Sequence, residues 1–185
     1  QHDAFLRLPG AVRAVQETKF AESDQVDFRT ELSKRGQYVV FGRPLPAKGH
    51  ERGGVAIVSE RPLAQPAAIS PQEQTLLDSK RYVRAALPLG DGKCCLHIVS
   101  FYGYTNAARN PCERAKHEEL LGLLFEVLAA LGQVPILILG DFNTNSTHST
   151  TLDVALRSQQ WYDAALIWED KTGQQAQNTC FMIWR

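Results

Sequence analysis

The stretch Pro135-Ile136-Leu137-Ile138-Leu139-Gly140-Asp141-Phe142-Asn143 organises the reading of this chain. An uninterrupted apolar, partly β-branched run bounded by proline and glycine predicts a strand buried on both faces. Gly140 permits a tight bend or a close backbone approach where the chain leaves the sheet. Residues two apart in an extended segment point the same way, so Asp141 and Asn143 are expected to project together from the strand end. A carboxylate buried there without a partner is costly, so it should meet a metal, a hydrogen-bond donor or a substrate.

The clearest helix signal lies just upstream. Asn110 suits the N-cap, Pro111 the first turn and Glu113 the reciprocal capping position. Leu120, Leu121, Leu124, Leu128 and Leu131 recur at helical spacing, and Gly132 ends the helix. Before it, residues 81–89 and 94–102 flank the turn signal Asp91-Gly92 and read as a β-hairpin whose second strand ends at Tyr102. Residues 103–110 form a loop. Towards the N-terminus, residues 11–18, 37–42 and 53–59 read as strands, the last opened by Gly53-Gly54. Residues 22–36 read as a helix with Val26, Phe28 and Leu32 as its apolar positions, and residues 3–10 as the end of another. Residues 44–52 read as a loop and residues 64–80 as irregular. Downstream, a helix is expected over residues 149–159, with Leu152, Ala155 and Leu156 facing inward. Residues 161–168 are expected in the core, residues 169–178 in a polar loop and residues 179–184 in a strand. About six strands, with hairpin connections in the middle and helices near both ends, predict an α/β or α+β sandwich of two sheets packed face to face with helices outside.

A chain of 185 residues suits a single domain with a sizeable core. Lys plus Arg number 20 and Asp plus Glu number 20, which argues against a strongly basic nucleic-acid coat but leaves room for a local basic groove or a bound cation. Cys94, Cys95, Cys112 and Cys180 show no Cys-x-x-Cys pairing and read as buried free thiols, in keeping with a reducing compartment. No apolar run is long enough to cross a membrane and no signal peptide is visible. The expected setting is therefore intracellular, with the nucleus as one option. The chain starts at Gln1 and stops at Arg185 directly after a strand-like segment, and reads as a monomeric piece of a longer polyprotein.

Three strand ends carry polar groups: Glu17, Tyr102, and Asp141 with Asn143. A lone glutamate at a strand end is usually only solvated, so Glu17 matters if it shares a rim with the other two. The histidines are weaker candidates. His97 reads as packed mid-strand, His117 lies on the Asn110 helix, and His2, His50 and His148 look exposed. Asp163 reads as structural. Arg43, Lys48, Arg52 and Arg109 stand in loops, where charges are usually solvated but able to meet phosphates.

The order Gln16-Glu17-Thr18-Lys19, Gly53-Gly54-Val55-Ala56-Ile57, a strand ending at Tyr102 and Gly140-Asp141-Phe142-Asn143 resembles the endonuclease/exonuclease/phosphatase superfamily. That group includes DNase I, apurinic endonucleases and the endonucleases of LINE-type retrotransposons. The resemblance implies a four-layered α-β-β-α sandwich of two mixed sheets with the active site at one rim. It implies that Glu17 is the carboxylate ligand of Mg²⁺ or Mn²⁺, and that Asp141 orients and deprotonates the attacking water. Asn143 would bond that water or the phosphate, and Tyr102 would place its hydroxyl on the scissile phosphate. The implied reaction is in-line attack of water on phosphorus in DNA. The family also has an early strand ending in asparagine, an Arg-Ile-Asp type strand and a Ser-Asp-His. Residues 1–185 contain none of these, so a domain lacking its first and last strands, truncated at both ends and inactive alone, is expected. His148 is not expected to replace the histidine.

Two other readings stay open at this stage. One is a catalytically dead remnant or nucleic-acid-binding module that keeps the fold. The other is a phosphatase or phosphodiesterase of the same fold acting on an inositol phosphate, a lipid or a nucleotide, because loops such as 103–110 and 145–151 choose the substrate.

Overall fold

The structure, a computed structural model, describes residues 11–46, 53–66, 68–90, 92, 94–107 and 109–175, and residues 180–184 as backbone. The expectation for residues 3–10, and the positions His2, Lys48, His50 and Arg52, lie outside the described residues. Two sheets form. The first joins β1 (Val12–Gln16), β3 (Val55–Ser59) and β2 (Tyr38–Phe41), in that spatial order, with every described pairing antiparallel. The second runs β4 (Tyr82–Leu89), β5 (Cys94–Tyr102), β6 (Ile136–Asp141), β8 (Cys180–Trp184), β7 (Trp161–Asp163) and is mixed, since β5 and β6 are parallel. Two sheets form as expected, built from eight described strands rather than about six, and the described pairings of the three-stranded sheet are all antiparallel.

The hairpin of β4 and β5 forms as the Asp91-Gly92 signal predicts, with Tyr82 opposite Phe101 and Leu89 opposite Cys94. Parallel strands need a crossover, and α3 (Pro111–Ala129) supplies it between β5 and β6. Its start is fixed by Asn110, whose side chain accepts from the backbone N–H groups of Cys112 and Glu113. The Glu113 carboxylate turns to Lys116 at 3.1 Å.

Strand alternation sorts the residues into layers. Val83, Ala85, Ile98, Tyr102 and Leu139 of the second sheet face Val40, Val55 and Ile57 of the first. On the outer side of the second sheet, Tyr82, Val99, Phe101, Ile136 and Ile138 pack against Leu120, Leu121, Leu124 and Leu128 of α3. Leu76 of α2 (Pro71–Asp78) and Leu152 of α4 (Thr150–Arg157) complete this layer. On the outer side of the first sheet, Phe28 and Leu32 of α1 (Glu22–Lys34) cover Phe41, Ala56 and Val58. The order of layers is helix, sheet, sheet, helix. Each large side chain so buried contributes about 1.5–3 kcal/mol.

Several local expectations are corrected. Residues 64–80 are not all irregular, because Ser70 caps α2, its Oγ accepting from Glu73 N–H, and Pro71 occupies the first turn. Val26 is exposed, since α1 covers only one side of a narrow sheet with Phe28 and Leu32. Residues 161–168 are core only at Trp161. The chain turns at Asp163 into α5 (Ala164–Thr172), where Leu166 and Trp168 are exposed, and the helix takes in residues 169–172 of the expected loop. Cys94 and Cys112 are exposed and Cys95 is half-buried, because each lies at an element end rather than in the core. Among the described residues no helix is long and apolar enough to cross a membrane.

Candidate active site

Register places the polar strand ends together. Gln16 at the end of β1 pairs with Val55, and Tyr102 at the end of β5 pairs with Asp141 at the end of β6. Within β1, alternation turns Gln16 toward the second sheet, where its Nε2 donates to Ser100 Oγ at 3.1 Å. Simple alternation would then send Glu17 outward. Instead Glu17 takes a left-handed conformation at φ 54°, and its carboxylate oxygen Oε1 accepts the Tyr102 hydroxyl proton. Non-glycine residues with positive φ are uncommon and strained, so neighbouring contacts must hold the turn. Gly54 supplies one: Thr18 N–H donates to its carbonyl at 3.1 Å, and a Cβ at Gly54 would stand 2.5 Å from Thr18 Oγ1. Tyr102 Oη also lies 3.2 Å from Thr105 Oγ1. Burial first, and the bond to the Glu17 carboxylate second, push the Tyr102 hydroxyl pKa above its ordinary value, so the group is a proton donor at neutral pH.

Asp141 and Asn143 do come together, by a route other than strand alternation. β6 ends at Asp141, whose Oδ1 accepts the backbone N–H of Asn143 at 3.0 Å. Such a bond two residues along is the local turn that aspartate favours. Asn143 sits at φ 53° and its Nδ2 donates to the Gly103 carbonyl at 3.2 Å. The loop after β6 is thereby tied to the loop after β5. Gly140 allows the strands to approach here, since a Cβ would meet the Phe101 carbonyl oxygen at 1.9 Å. Asp141 itself is exposed to solvent at the rim.

Sequence reasoning missed three contributors. Arg81, just before β4, is buried against the rings of Tyr102 and Tyr104, with its guanidinium carbon 4.8 and 4.2 Å from their centroids. His117 of α3 is buried and its Nδ1 accepts the Tyr104 backbone N–H at 3.1 Å. Burial lowers its pKa, which keeps the ring neutral. Ser100 links the sheets beneath the rim. An alternating strand signals that Ser100 faces inward, but nothing local signals the partners of Arg81 or His117.

The weaker candidates lie elsewhere or do other work. His148 is exposed and bonded to Asn145 at 2.7 Å. His97 is half-buried and accepts from Arg84. Asp163 caps α5 through Ala165 N–H. Arg43 pairs with Asp78 at 3.4 Å, and Arg109 is exposed.

Among the described residues no three His, Cys, Asp or Glu side chains gather into a metal cage. Mg²⁺ is usually held by one or two carboxylates plus waters and substrate phosphate. The rim offers that kind of donor set: the Glu17 carboxylate, the exposed Asp141 carboxylate and amide and hydroxyl oxygens, all hard ligands. These residues fit a hard divalent cation.

No curated protein sequence gives a significant match to the chain. Solved structures do resemble it. An AP endonuclease from Archaeoglobus fulgidus superposes with a TM-score of 0.62 at 16% identity, covering 94% of this chain and 76% of that one. The 3′ phosphatase NExo from Neisseria, bound to a product DNA hairpin, gives 0.67 at 14%, covering 98% and 79%. The APE2 catalytic domain of Xenopus laevis gives 0.60 at 15%, covering 100% and 77%. At such identities these likenesses show the fold. The sequence signature that describes the Endonuclease/Exonuclease/phosphatase family matches residues 12–184, and with it the chain belongs to that family.

Proposed function

We propose that this protein is a metal-dependent phosphodiester hydrolase of DNA, an endonuclease of the apurinic or retrotransposon type. The observation that carries the proposal is the meeting of Glu17, Tyr102, Asp141 and Asn143 at one rim, with Tyr102 bonded to Glu17 and Asn143 bonded to the loop that follows Tyr102. A DNA-bound phosphatase and an AP endonuclease of the same fold support the choice of substrate.

In this reading Glu17 holds Mg²⁺ or Mn²⁺, which when bound steadies negative charge on the phosphate and on the leaving oxygen. Tyr102 donates its hydroxyl proton to a phosphate oxygen, trading the Glu17 acceptor for the substrate. Asn143 holds the phosphate or the attacking water. Asp141 takes a proton from that water as the new P–O bond forms opposite the breaking one. The remaining groups that the family resemblance implies would come from polypeptide outside residues 1–185, with this domain acting as one monomeric unit of a longer chain.

The test is cleavage of a labelled DNA duplex by the full-length polypeptide, with and without Mg²⁺. Asp141→Ala is expected to lower turnover by roughly 10²–10⁴-fold, the range for loss of a general base, with an unchanged thermal transition. Normal turnover in that variant overturns the assignment. A shallow salt dependence of DNA binding, together with hydrolysis of a small phosphate ester, would replace DNA with a small-molecule substrate.

A further inference from the structure

We propose that Arg81 is a positioning residue of this site, a clamp that holds the Gly103 carbonyl and through it the Asn143 amide and the Tyr102 ring. The consequence for turnover rests on the function proposed above, whereas the clamp itself is a matter of local structure.

Arg81 is only 6% exposed. A cation at that depth needs compensation. Among the described residues its side-chain hydrogen bonds go to main-chain carbonyls rather than to a carboxylate: Nη1 donates to the Gly103 carbonyl at 2.9 Å and lies 3.3 Å from the Tyr102 carbonyl. The ring faces of Tyr102 and Tyr104 supply the rest, with centroids 4.8 and 4.2 Å from the guanidinium carbon. Gly103 is the point of convergence. Its carbonyl has two lone pairs; one receives Arg81 and the other receives Asn143 Nδ2 at 3.2 Å. Its N–H donates to the Asp141 carbonyl at 2.7 Å. One residue therefore ties together all the site residues of the second sheet, and Arg81 is the side chain that holds its carbonyl.

The choice of arginine is physical. A planar guanidinium can pack against aromatic rings while its edge donates to carbonyls, and a compact ammonium does this less well. Main-chain pairing does not depend on the side chain, since Tyr102 N–H donates to the Arg81 carbonyl at 2.8 Å whatever residue stands there. Loss of the guanidinium would leave β4 and β5 paired and free the Gly103 carbonyl to rotate.

The test compares the wild-type full chain with Arg81→Met and Arg81→Lys by ¹⁵N NMR of the Asn143 side-chain amide. The expected result in Arg81→Met is a shifted Asn143 resonance whose protons exchange with water roughly fivefold faster, as for loss of one typical hydrogen bond. Arg81→Lys, which keeps the charge, shows the same shift, and it decides the matter if the methionine variant does not fold. An Asn143 signal and exchange rate identical to wild type in a folded variant overturns the proposal. In the DNA assay, kcat is expected to fall by about 10²-fold while KM stays within about twofold, the pattern of a misplaced group. Absence of any hydrolysis by the wild type would count against the proposed function and leave the NMR result to decide the clamp.

Discussion

Replacing Glu73 by glutamine tests how the second sheet and its helices are held. Glu73 on α2 and Arg84 on β4 form an ion pair at 2.8 Å with both side chains 5% exposed. Glu73 Oε1 also accepts from Arg84 Nε at 2.9 Å and from the Tyr82 hydroxyl at 2.8 Å, while Arg84 Nη1 donates to His97 Nδ1 at 3.1 Å. Burial, and then the Glu73 charge, push the Tyr82 hydroxyl far above its ordinary pKa, so it stays a donor. Glu73→Gln preserves the shape and leaves a guanidinium buried without its counter-charge. Breaking a buried pair in this way costs about 3–5 kcal/mol. Water reaching Arg84 from the neighbouring cavity of about 290 Å³, which Glu73 and Arg84 help to line, favours the lower end. For a chain of this size each kcal/mol moves Tm by about 2–4 °C, so a fall of roughly 6–20 °C is expected. The double variant Glu73→Leu with Arg84→Leu removes both charges and should be less destabilised than either single change, by about 2 kcal/mol, although Tyr82 loses its acceptor. Urea unfolding of the wild type, Glu73→Leu, Arg84→Leu and the double variant measures the coupling. Single changes that add to within about 0.5 kcal/mol would refute the argument.

Gly140→Ala drives a Cβ to 1.9 Å from the Phe101 carbonyl oxygen and should cost about 3 kcal/mol or more by forcing β5 and β6 apart. Gly132→Ala, where a Cβ meets nothing within 4 Å at φ +75°, should cost only about 1 kcal/mol of backbone strain; comparison of the two Tm values checks both. Stability should fall on acidification. Burial lowers the pKa values of His97 and His117, so the unfolded chain binds more protons than the folded one just below the ordinary histidine value of about 6.5. Both rings use Nδ1 as an acceptor, from Arg84 and from Tyr104 N–H, and protonation breaks those bonds. Urea midpoints between pH 7.5 and 5 read the loss, which should shrink in His117→Gln. Asn110→Ala removes the cap of α3 and should cost about 1 kcal/mol in the same measurement.

The strand ending at Asp141, the hairpin and the capped helix were legible because each carries its signal locally: an apolar run stopped by glycine, an Asp-Gly turn, an Asn-Pro start. Glu17, Tyr102, Asp141 and Asn143 were legible as strand ends in the right order. Their convergence was not, since it depends on the register of two sheets and on left-handed turns at Glu17 and Asn143 that period-two reasoning misplaces. The helix over Pro71–Asp78 was missed although Ser70 and Pro71 mark its start, because the Pro- and Gln-rich residues before it dominated the window. The element that carries His117 was legible, but the roles of Arg81 and His117 were not. Their partners are carbonyls, ring faces and a loop N–H brought close only by tertiary packing. The exposure of Leu166 and Trp168 is not legible for the opposite reason, since apolar composition alone does not say which residues are buried.

The one parallel pairing among the described residues, β5 with β6, sorts the loops of the second sheet between two ends. Residues 103–110 and 142–149 leave from the end that holds Tyr102 and Asp141. The hairpin turn beyond Leu89 and the bend at Gly132 leave from the other, where β6 starts opposite His97. Eight strand steps separate Cys94 from Tyr102, a span of about 27 Å. With the other exposed thiol among the described residues, Cys112, replaced by serine, Cys94 is therefore a handle on the far end, a place to tether the protein to a surface or carry a spin label while the rim with Glu17 faces solution.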